Sequence, residues 1–595
     1  MEDIMNRIDD LEREIAVLPQ GNITVKNIKG KDYYYHRIIN NKKRTETYIP
    51  FDQVEKLRTQ IEKRKALEAK LKELKRLLPD SAKDSPISSS EFNTLVRIGK
   101  ALRAQIASVR KYKKRECISI LRNYIFGDFS EKVFILYGLR RTGKTTMVKQ
   151  ILSELSDAEF NKAAFIQAKK GDTLSDINSD LRLLEERGFK YVFIDEVTLI
   201  EDFIEGAALF SDIYASSGMK IILTGTDSLG FVFTQDDQLY DRAITLHTTF
   251  IPYREFENVL GIHGIDEYIK YGGTMSISGA NYNKDSTFAN AKKSNEYINT
   301  AIANNIQHSL KYYQDGGHFR QLYDLYQKGE LTNVINRVVE NINHSFTTEV
   351  IEKAFKSSDI SITARNLLRD REHPIDIKEH LNLDIVTLGI MQALEILNKE
   401  EQTIDIEESH MAQIKEYLTL LDLVAEVDLI SLPNTGNSNK QTIITQPGMR
   451  YSQAEEIIKN IVLDNKFNEL SAIDRKKIID RLLSEIMGRM MEDIVLFETK
   501  VFNPDKLVFK LQFDVGEFDM VIFDSDKICC EIFEIKHSTE LVPKQYQHLN
   551  DEEKCRITEH HYGPIKRKSV IYRGDTTEEN GIHYINVEKY LNHLV

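Results

Sequence analysis

Residues 138–145, Gly138-Leu139-Arg140-Arg141-Thr142-Gly143-Lys144-Thr145, hold the spacing G-x-x-x-x-G-K-[ST], which suits the grip of a triphosphate. The glycines let the backbone curl so that successive N–H groups face phosphate oxygens. The Lys144 ammonium would add a point charge at the β- and γ-phosphates, and the Thr145 hydroxyl is placed to hold Mg²⁺. Gly138, Arg141, Thr142, Gly143 and Thr146 complete the candidate cradle for ATP. Further along, Lys190-Tyr191-Val192-Phe193-Ile194 runs into two carboxylates, Asp195 and Glu196. Asp195 would bind the Mg²⁺ through its water shell, and Glu196 would polarise an attacking water. Thr224 and Thr226, at the end of a third apolar run, are both candidates to sense the γ-phosphate, and spacing does not choose between them. Arg242 could stabilise phosphate charge in cis, stabilise it in a neighbouring subunit, or be an ordinary surface arginine.

A second set of residues suits metal-assisted phosphodiester cleavage. Residues 505–540 read as a β-hairpin, with strands over 507–523 and 528–538 and a turn at Asp524-Ser525-Asp526-Lys527. Alternation puts Glu517 and Asp519 on one face of the first strand. It puts Glu534 and Lys536 on one face of the second, with Ile535 pointing away. In this D…E-x-K arrangement Asp519 and Glu534 would hold Mg²⁺, and Lys536 would orient water or offset developing charge. Glu492, on a helix over residues 484–499, could reach the same metal. The bland alternative is a solvated hairpin with an ordinary Glu–Lys pair. Against it, the pair adjoins the apolar run 528–535, where free charges are costly.

The elements that must position these groups are legible as patterns. Val133–Tyr137 reads as a buried strand feeding the first loop, and residues 146–152 as the helix whose N-terminus favours anions. From residue 132 to 256 strands and helices alternate, as in a doubly wound domain. Residues 257–370 read as mostly helical with a sharp break at Tyr271-Gly272-Gly273. Apolar runs over 375–383, 387–397 and 411–423, followed by short runs at 424–432 and 442–445, suggest three helices and a hairpin. That is a winged helix, able to read a DNA groove or to join domains; with no clear basic recognition helix the joining role is favoured.

At 595 residues the chain exceeds one core, and roughly three to five domains are expected. No apolar run approaches membrane-spanning length and no basic-then-apolar signal opens the chain, so a cytoplasmic location is expected, without membrane contact. Cys117, Cys529, Cys530 and Cys555 form no C-x-x-C pair, which suggests neither a zinc site nor a disulfide framework. Net charge is −12, yet residues 21–78 carry 16 basic and 7 acidic side chains, leaving −21 for the remainder. A basic module on an acidic body suggests a polyanionic partner.

That module starts as a coiled-coil arm. Ile4, Ile8, Leu11, Ile15 and Leu18 hold a/d spacing, as do Val54, Leu57 and Ile61 and then Leu67, Leu71, Leu74 and Leu78, with a stutter between. Residues 23–49 read as a small sheet at the tip, with turns at Lys29-Gly30-Lys31 and Asn40-Asn41-Lys42-Lys43. The tip interleaves Tyr33, Tyr34, Tyr35 and Tyr48 with Lys26, Lys29, Lys31, Arg37, Lys42, Lys43 and Arg44. Rings that stack on bases and cations that hold phosphates would suit nucleic acid. Alternatively the tyrosines pack the sheet and the lysines keep its edges soluble, or the arm makes a homo-oligomer. A linker rich in Ser, Pro and Asp follows, and then a helical stretch whose Arg103, Arg110, Lys111, Lys113, Lys114 and Arg115 read best as a solvated face.

Taken together, the motifs resemble bacterial and archaeal AAA-type P-loop ATPases whose C-terminal domain has a restriction-endonuclease-like, PD-(D/E)xK fold. The resemblance rests on residues 138–146, Ile194-Asp195-Glu196, Leu223-Thr224-Gly225, residues 239–242 with 250–256, and residues 268–273. In the C-terminal part it rests on Gly488-Arg489-Met490-Met491-Glu492, Glu517-Phe518-Asp519 and Glu534-Ile535-Lys536, and it spans about residues 115–595. It implies that Lys144 and Thr145 bind nucleotide and Mg²⁺, that Asp195 and Glu196 support hydrolysis, and that Glu492, Asp519, Glu534 and Lys536 form a nuclease site. The expected fold class is α/β. Its parts are a coiled-coil arm (1–78), a linker (79–92), an AAA-type core (93–256), a helical lid (257–373), a winged-helix-like domain (374–460) and a nuclease-like domain (461–595). The expected function is an ATPase that controls or drives a Mg²⁺-dependent DNA nuclease in the same chain, in DNA processing or defence against foreign DNA. The competing expectation is a nucleotide-switched scaffold whose C-terminal domain only binds nucleic acid or a partner.

Overall fold

The computed structural model describes residues 18–19, 21–28, 31–40, 43–76, 91–129, 131–200, 202–226, 230–231, 239, 241–275, 282–312, 320–356, 408–432, 439–463, 471–542 and 546–594. Two compact units emerge, Met1–Glu91 and Phe92–Val595. Among the described residues no helix is long and apolar enough to cross a membrane.

In the first unit β1 (Asn22–Ile28), β2 (Lys31–Asn40) and β3 (Lys43–Ile49) form an antiparallel meander whose two turns fall where the Gly and Asn signals place them. The helix Phe51–Arg76 follows, unbroken through the expected stutter. Its expected partner over residues 2–18 lies outside the described residues except for Leu18, whose carbonyl accepts from Arg64 Nη1 at 2.5 Å. Tyr35 and Tyr48 meet edge to face across β2 and β3 at 5.9 Å, and Tyr48 stays largely exposed.

The described residues of the second unit form two sheets. In the first, β4 (Leu95–Arg97), β5 (Val133–Tyr137), β6 (Ala163–Gln167), β7 (Tyr191–Asp195), β8 (Lys220–Gly225) and β9 (Ala243–His247) lie in the order β4-β6-β7-β8-β5-β9. All pair in parallel except β4 with β6. The period-2 rule is plain in β5: Phe134 and Leu136 enter one core with Met147, Val148, Ile151 and Leu152, while Val133 and Ile135 enter the other with Ile177, Leu181 and Leu184. Helices Lys144–Leu152 and Leu174–Glu186 thus cover opposite faces, the doubly wound arrangement. Of the basic stretch expected to be helical over residues 103–115, only the part within Gly99–Ala107 is helical. Arg115 lies beyond it and is buried, not on a solvated face.

The second sheet holds β10 (Val424–Ser431), β11 (Asn439–Ile444), β12 (Leu507–Gln512), β13 (Glu517–Asp524), β14 (Cys529–Lys536), β15 (Ile565–Tyr572), β16 (Thr577–Glu579) and β17 (Ile582–Asn586). Their order is β11-β10-β12-β13-β14-β15-β17-β16. The 30-residue helix Ala472–Val501 packs Met487, Met490, Met491 and Val495 on one face against Val508, Met520, Phe533 and Ile535. Helix Glu552–Tyr562 covers the other, with Phe509, Phe518, Val521 and Ile532 beneath.

Two expectations change here. The hairpin β10–β11 was expected as the wing of a separate module. Instead β10 pairs in parallel with β12, so the boundary placed at residue 460 falls inside one continuous sheet. The first two helices of that module, 375–383 and 387–397, lie outside the described residues; the third appears as Glu408–Leu420. The single strand expected over 507–523 is two strands. The chain reverses over residues 513–516, where Gly516 takes φ +83° and a Cβ would sit 2.8 Å from both His548 and Lys554.

Candidate functional site

Strands β5, β7 and β8 end side by side, and their C-terminal residues meet. Gly143, at φ +91°, turns the loop into helix Lys144–Leu152, and Arg141 also adopts a left-handed backbone at φ +66°. The buried Lys144 ammonium donates to the carbonyls of Gly138 (2.8 Å) and Leu139 (2.9 Å). Burial pushes Lys144 down to about 8, against the pull of Glu196 and Asp195. The Thr145 hydroxyl lies 3.1 Å from Asp195 Oδ2, so the hydroxyl and carboxylate expected to share Mg²⁺ are neighbours, both hard oxygen donors. Thr224 donates to Asp195 Oδ1 and Thr226 to Glu196 Oε2 at 3.1 Å, so both threonines reach the acid pair, each on a different carboxylate. Glu196 itself holds φ +57°, a left-handed conformation that costs a non-glycine residue about 1–3 kcal/mol and marks a position fixed by its surroundings. Burial raises its carboxyl above the usual range.

Arg242 is not part of this cluster. It precedes β9, its carbonyl bonds Val133 N–H at the start of β5, and its guanidinium pairs with Asp212 at 2.5 Å. The loop is at the far end of β5, roughly 13 Å away at 3.3 Å per residue. Contact with phosphate in cis is therefore excluded by topology.

The second constellation does assemble. Lys536 Nζ lies 2.8 Å from Asp519 Oδ2 and 2.7 Å from Glu534 Oε2, and Ile535 N–H donates to Asp519 Oδ2 at 2.8 Å. Glu492, Glu517, Asp519, Glu534, Lys536, Gln512 and His548 line a cleft of about 520 Å³. Burial works against an ionised Asp519, but Lys536 and Lys510 outweigh it and hold the carboxyl well below the usual range. Burial and then Asp519 push Glu534 well above it, and the same two causes raise Glu492. Glu534 Oε1 is buried and has no hydrogen-bond partner among the described residues. Among the described residues no group of three or more His, Cys, Asp and Glu side chains is placed to share a metal ion, and two ammoniums, Lys510 and Lys536, interleave these carboxylates.

Residues 130–257 match the family model described as AAA domain. This part of the chain is an AAA-type P-loop domain. Residues 1–59 match a domain of unknown function (DUF6788). The comparison with curated proteins returned no match. Among solved structures, the Orc1 protein of Aeropyrum pernix in complex with DNA aligns over 64% of this chain and 95% of that one, with 12% identity and a TM-score of 0.20, too low to carry an argument.

Several residues around the AAA-type loop were hidden from sequence reasoning. Arg115 spends all five guanidinium N–H groups: on Glu255 through Nε (2.6 Å) and Nη2 (2.5 Å), on the carbonyls of Thr142 (2.9 Å) and Thr248 (3.1 Å), and on that of Phe250 (3.1 Å). It thus ties the loop to helix Tyr253–Leu260, whose first N–H donates to Glu498 of helix Ala472–Val501 at 2.8 Å. Helix Ile265–Tyr271 makes a second tie. In its first turn Asp266 takes His537 Nε2 at 2.8 Å and Arg573 Nη2 at 2.7 Å; His537 follows Lys536 in the chain. Past its last turn the expected glycine break occurs, and Met275 N–H donates to the Arg141 carbonyl at 2.7 Å. At the cleft, Lys554 can only donate to His548 Nδ1 (2.7 Å), which leaves the ring proton of a neutral His548 on Nε2.

Proposed function

We propose that this chain is an ATP-hydrolysing protein that controls a Mg²⁺-dependent DNA nuclease built into the same polypeptide. The observation that carries the reading is the convergence of Asp519 and Glu534 on one lysine ammonium in an open cleft, with a strut of seven helical residues between that cleft and the phosphate loop. Such a helix is roughly 10 Å long, short enough to transmit a rigid displacement.

Lys144, Thr145 and the loop N–H groups bind the triphosphate. Asp195 would steady a magnesium ion with Thr145, Glu196 would orient the water, and Thr224 and Thr226 would report the γ-phosphate to the two acids. Binding must move Lys144 off the carbonyls of Gly138 and Leu139, which frees the loop backbone that Met275 and Arg115 hold. Asp266 passes that shift to His537 and so to Lys536. In the cleft Asp519 and Glu534 would hold the metal, the Glu534 oxygen that has no partner among the described residues serving as a donor, and Lys536 would hold the water or offset the developing charge. Magnesium there would supply Lewis-acid activation of the phosphodiester. Glu492 lies at the cleft wall as a further acid. The tip of the arm offers a second nucleic-acid contact, and a role for Arg242 would require a neighbouring copy of the chain.

The test is purified full-length protein with ATP, Mg²⁺ and a panel of DNA and RNA substrates. Lys144→Ala and Glu196→Gln should suppress ATP hydrolysis. Asp519→Ala and Lys536→Ala should abolish cleavage while hydrolysis persists; cleavage unchanged in both would end the nuclease assignment. One observation favours the alternative, a nucleotide-switched scaffold: the acids are interleaved by two lysines, as in a purely structural ion network.

A further inference from the structure

One continuous helical run in the helical region after the AAA-type core touches the nucleotide site at two points. It joins an α-helical part (Ala291–Tyr297), a π-helical part (Ile298–Ala303) and a second α-helical part (Asn304–Tyr312). At its first contact the run sits on the phosphate loop. Tyr297 Oη donates to the Arg140 carbonyl at 3.0 Å, and the Leu139 side chain is buried among Tyr297, Ile298, Ala301 and Ile302. Eight residues on, Asn305 Nδ2 donates to the Thr226 carbonyl at 2.5 Å, just past the end of β8. In a regular α-helix two residues eight apart lie about 80° out of phase around the axis. The wider i→i+5 turns of the π segment advance less per residue and take up that angle, so both side chains reach the AAA-type domain.

We infer that Asn305 is a positioning residue for ATP hydrolysis, which pins the carbonyl of Thr226 and through Thr226 orients the Glu196 carboxylate. The inference rests on the reading of the chain as an ATPase in which Glu196 orients the water, and deepens it. Thr226 holds Glu196 through its hydroxyl, at 3.1 Å, and through its backbone N–H. Those two bonds fix the carboxylate only as firmly as Thr226 is itself fixed. The pairing of β8 with β5 ends at Gly225, opposite Tyr137, so the sheet does not hold the next carbonyl; Asn305 does. Anchored on the loop at Tyr297, the run gives Asn305 a fixed reference to the phosphate site. The rest of the amide argues against a packing role. Asn305 is buried, and its Oδ1 has no partner among the described residues. A buried acceptor left unpaired is costly, and an apolar side chain of similar size would avoid that cost. What the amide adds over such a side chain is the donor it gives Thr226.

The experiment measures ATP affinity and single-turnover ATP hydrolysis on the full chain. Asn305→Asp keeps the shape of the side chain, but an ionised carboxylate cannot donate to a carbonyl; Asn305→Ala removes the donor outright. Each should slow hydrolysis about tenfold, a part of the roughly 10²–10⁴-fold that a positioned general base contributes, and leave the Kd for ATP within about twofold. In a Glu196→Gln background the same substitutions should change the residual hydrolysis less than about twofold, because the group they misplace is gone. A merely structural residue would weaken affinity as well, or slow hydrolysis equally in both backgrounds. Hydrolysis within about twofold of wild type, a Kd weakened as much as the rate, or a full tenfold loss in the Glu196→Gln background would overturn the inference. If Asn305→Ala fails to fold by circular dichroism, the isosteric Asn305→Asp decides, and failure of both to fold would show a structural role and overturn it too. Wild-type hydrolysis no faster than that of Glu196→Gln would instead overturn the ATPase reading beneath it.

Discussion

Replacing Arg115 with methionine keeps the length of the side chain and removes every donor. The wild-type guanidinium is 6% exposed and Glu255 4% exposed, so neither group is relieved by water. The substitution strips Glu255 Oε2 of both its partners and leaves the carbonyls of Thr142, Thr248 and Phe250 each short of a donor. Glu255 Oε1 keeps Glu116 N–H at 2.7 Å, so the carboxylate is half satisfied. Breaking a buried pair on one side costs about 3–5 kcal/mol, most of it the penalty of the stranded charge. Arg115→Lys should recover only a fraction, since one ammonium cannot fork across a carboxylate and three carbonyls. Adding Glu255→Gln to Arg115→Met should restore part of the loss, because the amide still accepts from Glu116 and no longer carries charge. Urea unfolding followed by circular dichroism measures all four proteins, and titration with ATP reports the loop, whose affinity should weaken about tenfold when the Thr142 carbonyl is released. A single mutant within about 1 kcal/mol of wild type, or a double mutant worse than the single, would refute the account.

Three further outcomes follow from the contacts between the two sites. Asp266→Ala removes the acceptor of His537 and Arg573, so DNA cleavage should lose its dependence on ATP while ATP hydrolysis stays within about twofold; an unchanged nucleotide dependence would remove helix Ile265–Tyr271 from the coupling. Gly273 holds φ +109° and a Cβ there would lie 2.7 Å from Gln446, so Gly273→Ala should cost roughly 2 kcal/mol or more by urea unfolding. Burial pushes Glu498 up to about 8, and one of its oxygens has no partner. Its folded value exceeds the unfolded one, so its contribution is fully present below about pH 4.3 and is lost as pH rises to 8. Glu498→Gln should therefore gain stability over wild type progressively across that window, to a ceiling of roughly 5 kcal/mol, and a gain independent of pH would show that Glu498 is ionised in the folded protein.

The phosphate loop, the acid pair and the alternating strands of the AAA-type domain were legible because each is a local pattern, read within ten residues. The loop is one strand-to-helix turn, and Asp195 and Glu196 close the strand beside it. Even the order of motifs suffices to place them together, since parallel strands bring their C-terminal ends to one edge. Arg242 shows the limit of that logic. It sits in sequence near the β8 end, yet it belongs to the beginning of β9, and in a parallel sheet the two ends of a strand are opposite faces of the domain. The ties between the sites were beyond any window: Arg115 and Glu255 are 140 residues apart, Asp266 and His537 271.

Lys510 differs from these, because its signal is local. It stands in Leu507-Val508-Phe509-Lys510-Leu511, an apolar strand in which an unpaired ammonium would be costly. The same reasoning that singles out Glu534 and Lys536 beside the run 528–535 applies to it with equal force. What conceals it is the reading of residues 507–523 as one strand, in which the pattern of alternation runs straight through Gly516 and Lys510 has no acid opposite. Once the glycine is taken as a turn, β12 folds back on β13, and a buried lysine on the first must find its counter-charges on the second. Glu517 and Asp519 are the acids within reach there, so the turn and the ion cluster are consequences of one reversal of the chain.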